Sequence, residues 1–347
     1  MLTVNKVNSQ SIADTLMCDK HGCCCANDPT PAGVMISHVH KKKEWMVSYR
    51  FMNMMMKGMT KGTETVNRDD VFPNYLMTPV DMNMNMHMLM LMYGVTRKLT
   101  IMAMFNYNTA NMDMKMYATS PSYTSIAVSA TPYEMTHTMH TSGIGDIKLY
   151  VLYSLLKNQE HHFLVSLGAN IPTGGINYKG SAHSMMYPNS RYPYSMQLGS
   201  GTFDLLPCLN YLLQKDKISM SVQLSSVIRA SYNSVGYKLG NEYTLNAWFS
   251  YKVLRFLSAS ARIEGTIAGK ISGSDPTLFS NYEPSSDPNN YGGQKLMCFG
   301  GLTFQARRVK LRSYRLGAEY GLPLYQNFNG VQMTNRSSLF VALSKLF

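Results

Sequence analysis

The reactive side chains of this sequence are mostly sulfur and imidazole, and they are unevenly placed. Of 29 Met, 23 lie at or before Met139; all nine His lie at or before His183, and four of the six Cys fall between Cys18 and Cys25. Thioethers and thiolates are soft ligands and imidazole a borderline one, a set that selects Cu(I), or its analogue Ag(I), over Mg, Ca or Mn. Three runs carry the pattern: Met52, Met54 and Met56; then Met82 to Met92 at every second position, with Met86, His87, Met88, Met90 and Met92 at its centre; then Met102 and Met104. Ahead of them stand Cys18, His21, Cys23, Cys24, Cys25, His38 and His40. A Cys-x4-Cys-Cys-Cys run with nearby His can hold Cu(I) or Zn, although its spacing is not that of a zinc finger; in an oxidising compartment the same thiols form disulfides. The expected bound metal is copper, passed along a row of equivalent weak thioether sites. The competing reading is that Met fills space as a flexible apolar residue.

No other chemistry is encoded as clearly. The chain lacks a P-loop, a dinucleotide fingerprint and a nucleophile elbow, and nothing pairs His161 or His162 with a placed Ser and acid. An enzyme is therefore not expected. The net charge of +12 is spread over turns and loops, Lys41, Lys42, Lys43, Arg307 and Arg308 among them. It suits outer-membrane lipid and lipopolysaccharide headgroups; no basic-aromatic patch points to nucleic acid.

The elements that must position these residues read as strands. Charged residues are only 15% of the chain against 45% hydrophobic, yet no stretch approaches the roughly 20 apolar residues of a membrane-spanning helix. Alternation with period two recurs instead, over 44–56, 82–94, 98–108, 143–155, 161–171, 202–213, 217–229, 241–253, 257–271, 294–306, 311–323 and 337–347. Connections alternate long and short, the signature of a barrel with short periplasmic turns and long extracellular loops. The expected fold is an all-β, closed antiparallel transmembrane β-barrel of about 12 strands in the bacterial outer membrane. One face of each strand is apolar, as in Leu257, Ala259, Ala261 and Ile263, and the other polar, as in Ser258, Ser260, Arg262 and Glu264. Charges of both signs on the inward face predict a partly plugged, salt-bridged lumen. Residues 1–43 read as a periplasmic Cys/His-containing segment, with 1–10 the remnant of an export signal, and 44–347 as the barrel.

Parity places the methionines. Met52, Met54 and Met56 share a face with Ser48 and Arg50, and Met102 and Met104 with Lys98 and Thr100, so both sets face the lumen. The middle run is ambiguous, because its opposite face carries Asp81, Asn83, Asn85 and His87 as well as Leu89, Leu91 and Tyr93; hairpin continuity favours Met inside. Met112, Met114, Met116, Met135, His137, Met139 and His140 are expected in a long outer loop.

The runs SGIGDIKL (142–149), GANIPTG (168–174) and QLGSGTFDLLP (197–207) resemble strand edges of the outer-membrane proteins labelled meta-pathway of phenol degradation transporters. The resemblance covers most of 44–347. GVM (33–35), WMVSYRFM (45–52) and MNMNMHM (82–88) bring the chain closest to a Met-rich branch of that family. The resemblance implies a barrel and passage of a small hydrophobic molecule. Three functions are thus expected in order: copper binding or transport, a channel for hydrophobic or aromatic solutes, and an accessory barrel beside a partner receptor.

Overall fold

A computed structural model describes residues 29–72, 74–117, 134–179, 191–306 and 313–347. In chain order the strands are β1 (Trp45–Gly62), β2 (Glu64–Val66), β3 (Met77–Gly94), β4 (Leu99–Tyr117), β5 (Glu134–Ile144), β6 (Ile147–Lys157), β7 (His161–Ile171) and β8 (Asp204–Lys215). There follow β9 (Ile218–Arg229), β10 (Tyr237–Lys238), β11 (Glu242–Leu254), β12 (Leu257–Ala268), β13 (Ser272–Gly273), β14 (Gly293–Gln305) and β15 (Tyr314–Leu346). A single helical turn, Arg68–Val71, sits in the first long loop.

Eleven of these strands form a ring of neighbours from β1 through β15, and β15 pairs back onto β1 to close it; β2 and β5 are the remaining members of the sheet. Every sheet pairing is antiparallel. A bilayer offers no water to unpaired N–H and C=O groups, so a sheet can cross it only without edges. β5 is the upper part of the same descending strand as β6, interrupted at Gly145 and Asp146, since β4 pairs with both. β15 spans 33 residues, which at about 3.3 Å each would run for roughly 100 Å, far more than one crossing. It doubles back: Arg315 to Phe328 pair with β14, Phe328 to Leu346 with β1, Leu346 N donates to Ser313 O at 3.1 Å, and Asn335 N donates to Gln326 Oε1 at 2.9 Å. Counting both arms, the chain crosses twelve times.

The alternation expected from sequence sorts the faces. Leu149, Val151, Tyr153 and Leu155 on β6, and Leu316, Tyr320 and Leu322 on β15, lie on the outer wall, while Leu152, Ser154, Arg262 and Glu319 are buried inside. Trp45 stacks near Tyr93 (4.5 Å between centroids) close to the short turns, an aromatic belt at the membrane interface.

Two sequence expectations change. β1, β3 and β4 are longer than a bilayer needs: β4 runs to Tyr117 and β5 begins at Glu134, so Met112, Met114, Met116, Met135, His137, Met139 and His140 stand on strands and not in a loop. Their period-two spacing signals this, but a fixed crossing length of 9 to 11 residues cut the strands short. The described part of the leading segment, from residue 29, is not outside the barrel: Thr30, Ala32, Val34, Ile36, Ser37, Val39 and His40 are all buried within it. Replacing outward Ile263, half exposed to lipid, with Arg is expected to lower stability by about 2–4 kcal/mol, read from urea unfolding in phospholipid vesicles.

Candidate functional site

The lumen is filled from the periplasmic side by the extended segment that precedes β1. Its backbone is read by inward polar side chains. Arg50 Nη1 donates to Ala32 O (2.6 Å) and Val34 O (2.8 Å), Gln223 donates to Ile36 O, and Glu319 accepts from Gly33 N. Thr100 Oγ1 accepts from His40 N at 2.8 Å. Each contact satisfies a backbone group that leaves water inside the barrel. Apolar side chains complete the fit: Ala32 against Phe299 and Phe340, Val34 against Leu212 and Trp248, and Ile36 and Val39 against Met46, Met90, Met92, Met102, Leu152 and Leu164.

Beside the plug, fully buried Arg262 donates to Glu319 (3.1 Å), Asn246 (2.9 Å) and Glu264 (2.6 Å), and its guanidinium lies 3.8 Å over the Phe299 ring. Such a buried cation is tolerable only because carboxylates, an amide and a ring face surround it. Gly33 passes so close that a Cβ there would stand 2.3 Å from Arg262 Nη2. Arg262 is held on three sides and cannot give way cheaply.

The upper half of the lumen is different. Above the plug lies a cavity of about 240 Å³ whose wall includes seven methionines, Met54, Met56, Met59, Met82, Met84, Met112 and Met333, with Pro79 and Val331. Its polar groups sit at the top, on Ser195, Ser285, Asn290, Tyr291 and Gln332. All but Gln332, which stands on β15, belong to a roof folded from the long loops. Tyr291 Oη accepts from Ser195 N (3.1 Å) and donates to Ser285 O (2.7 Å), and Asn290 Nδ2 donates to Tyr75 Oη (3.0 Å) and Pro284 O (2.9 Å). Arg191 pairs with buried Asp275 at 2.9 Å, tying the loop after β7 to the loop after β12. Within the roof Glu283 is fully buried, and burial pushes its carboxyl up to about 7 although Ser286 donates to it at 2.9 Å.

The family-like runs meet in one polar hub beneath this roof. Asp146 accepts from Gly174 N (2.9 Å), Ser200 N (2.9 Å) and Asn170 Nδ2 (2.9 Å), while Asp204 accepts from Asn170 (2.8 Å), Thr202 Oγ1 (2.6 Å) and Arg229. Gly174 and Gly199 touch backbone to backbone; a Cβ on Gly199 would meet Gly174 O at 2.4 Å. These residues anchor the loop between β7 and β8, a role their spacing alone does not announce.

The sequence-selected ligands divide into five groups. Met54 and Met56 line the cavity, and Met52 packs at the edge of the Phe299 cluster. Met88, Met90, Met92, Met102 and Met104 face inward and are buried to within 3%. Met90, Met92 and Met102 pack in the cluster that holds Ile36 and Val39, and Met86 lies between these zones, opposite Met52. The ambiguous middle run therefore faces the lumen throughout. His87 does not join it: alternation turns it to the outer wall, where Nδ1 lies 2.7 Å from Tyr49 Oη. His38 and His40 stack edge to face at 4.8 Å inside the barrel, with His40 Nδ1 3.2 Å from Glu44. Cys18, His21, Cys23, Cys24 and Cys25 lie outside the described residues. Among the described residues no group of three or more His, Cys, Asp or Glu converges as a metal centre.

With the geometry in place, the sequence family can be set beside it. Residues 94–274, more than half of the chain, match the model of the family described as putative MetA-pathway of phenol degradation. The chain belongs to that family. No curated protein matches the sequence. Among solved structures it resembles an outer membrane channel from Pseudomonas putida F1, at 14% identity over 92% of this chain and 99% of that one, with a TM-score of 0.60. Lower likeness links it to a Pseudomonas aeruginosa FadL homologue (11% identity, 92% and 96% covered, TM-score 0.43) and to the P. putida toluene transporter TodX (8%, 94% and 92%, 0.43). The family member described here is an outer-membrane β-barrel.

Two outcomes follow from plug and roof. Gly33→Val should dislodge the plug from Arg262 and raise single-channel conductance in planar bilayers well above that of the parent; equal conductance would show that the close approach is not limiting. For Glu283 the folded-state carboxyl lies above its ordinary 4.5, so the folded roof holds a proton that the opened roof releases between pH 4.5 and about 7. Roof stability should fall as pH rises through that window and level off above it. Hydrogen exchange over 283–291 should show this in the parent and lose it in Glu283→Gln.

Proposed function

We propose that this barrel admits small apolar molecules of aromatic size at the outer membrane, with the methionine cavity as their binding site at the extracellular end. The observation that carries the reading is the cavity itself: about 240 Å³, walled by seven thioether side chains, with its polar groups on the roof and on Gln332 of β15. An apolar cavity of about 150 Å³ suffices for benzene, so this one has room for a substituted ring. Methionine suits such a guest, because its unbranched side chain adapts to shape and its sulfur makes favourable contacts with ring edges. Membership in a family described by phenol degradation, and a fold like that of an outer membrane channel, agree with the reading.

Onward passage requires the plug to shift, since Ala32 and Val34 close the lumen below the cavity. Lipid and lipopolysaccharide complete the surroundings: apolar side chains cover the outer wall, and the exposed Lys57 and Arg336 stand on the extracellular half of β1 and β15. A copper path from the cavity to the Cys18–Cys25 run is less well supported. Its lower methionines are packed against the plug and its thiol end lies outside the described residues.

Fluorobenzene followed by 19F NMR should give a saturable bound signal with the parent protein in detergent. Met56→Trp combined with Met84→Trp fills the cavity and should weaken that binding at least tenfold while heat-modifiable migration persists. Undiminished binding in the filled variant would remove the cavity from the account.

A further inference from the structure

Next to the cavity, ten methionines pack in one cluster: Met77, Met82, Met112, Met114, Met139 and Met196 buried, with Met56, Met84, Met116 and Met333 against them. Packing explains thioethers in such a place, but not the imidazole inserted beside them. On β5 alternation turns His137, Met139 and Thr141 inward and Thr138 and His140 outward. His137 is directly opposite Met114 on β4, and Met139 directly opposite Met112. Opposed residues on one face hold their Cβ atoms about 4.5–5.5 Å apart and diagonal ones about 7–8 Å, within reach of a Met side chain. Met112, Met114 and Met139 are no more than 1% exposed.

The outward histidines of this wall are satisfied: His140 Nδ1 lies 2.6 Å from Asn111 Oδ1, and His87 Nδ1 lies 2.7 Å from Tyr49 Oη. The inward one differs. His137 Nε2 is buried and has no hydrogen-bond partner among the described residues. A buried polar nitrogen without a partner is unfavourable, and thioether sulfurs offer it only weak acceptance. One borderline nitrogen amid soft sulfurs is a ligand set for a soft ion.

We propose that His137, Met112, Met114 and Met139 form a site for a soft monovalent cation, Cu(I) or Ag(I). Met112 also lines the cavity, which gives the ion its route in. The site does not depend on the solute reading. Met114 and Met139 do not line the cavity, and Leu in their place keeps the apolar volume and removes only the sulfur.

The test uses the full chain in detergent with its cysteines alkylated, 13C-methyl methionine labelling, and Ag+ as the probe. The parent should bind one equivalent saturably, with the methyl signals of Met112, Met114 and Met139 shifting together. His137→Phe should weaken binding at least tenfold. Met114→Leu and Met139→Leu combined, at two positions that do not line the cavity, should abolish it while the fluorobenzene signal survives. If the double variant loses heat-modifiable folding, Met139→Leu alone decides, with a several-fold loss expected. No saturable Ag+ binding by the parent, or affinity unchanged in His137→Phe or Met139→Leu, would overturn the proposal. Loss of fluorobenzene binding with Ag+ binding intact would count against the solute reading alone.

Discussion

Closure of β15 onto β1 is the constraint from which the other features follow. In the bilayer an open edge would leave a row of backbone groups without partners, each costing several kcal/mol, so the sheet must return on itself. The chain achieves this with the descending arm of β15, in register with β1 from Met46 opposite Leu346 to Met54 opposite Ser338. Closure then fixes two faces. The outer must suit lipid; the inner encloses a space that side chains of the wall do not fill by themselves.

How that space is filled divides the molecule. In the lower lumen an extended segment supplies what is missing, its carbonyls taken by Arg50, Gln223 and Asn210 and its side chains by Met, Leu and Trp of the wall. Here Met is a packing residue, buried like Met90 and Met92 at no more than 1% exposure. In the upper lumen no such segment arrives among the described residues, and the same residue type lines a cavity beneath a roof held by Arg191, Asp275, Asn290 and Tyr291. One alternating pattern therefore serves two purposes, and what lies opposite the wall decides which.

The barrel, its strand number and its inward charges were legible because alternation and loop rhythm are local properties of sequence. Parity assigned Met52 to Met56 and Met102 to Met104 to the lumen, and pairing across β1, β3 and β4 extended that to Met82 through Met92. His87 was misplaced because residue type was allowed to outweigh parity: it sits one position from Met86 and Met88 and so must point the other way. Inward charges of both signs announced a partly plugged lumen but not which segment fills it, since the barrel holds GVMISHVH largely by its backbone, which carries no residue code. The Asp146, Asn170, Ser200 and Asp204 hub lies within the quoted family-like runs, but its members come from three separate segments and only the fold brings them together.

The central claim is that an aromatic-sized apolar molecule occupies the methionine cavity between the plug and the roof. Anomalous diffraction from crystals of the protein soaked in iodobenzene tests it directly. The account predicts an iodine peak among Met84, Met112 and Tyr291, above Ala32 and below Pro284. A peak confined to the outer wall, or none in the lumen at saturating iodobenzene, would contradict it.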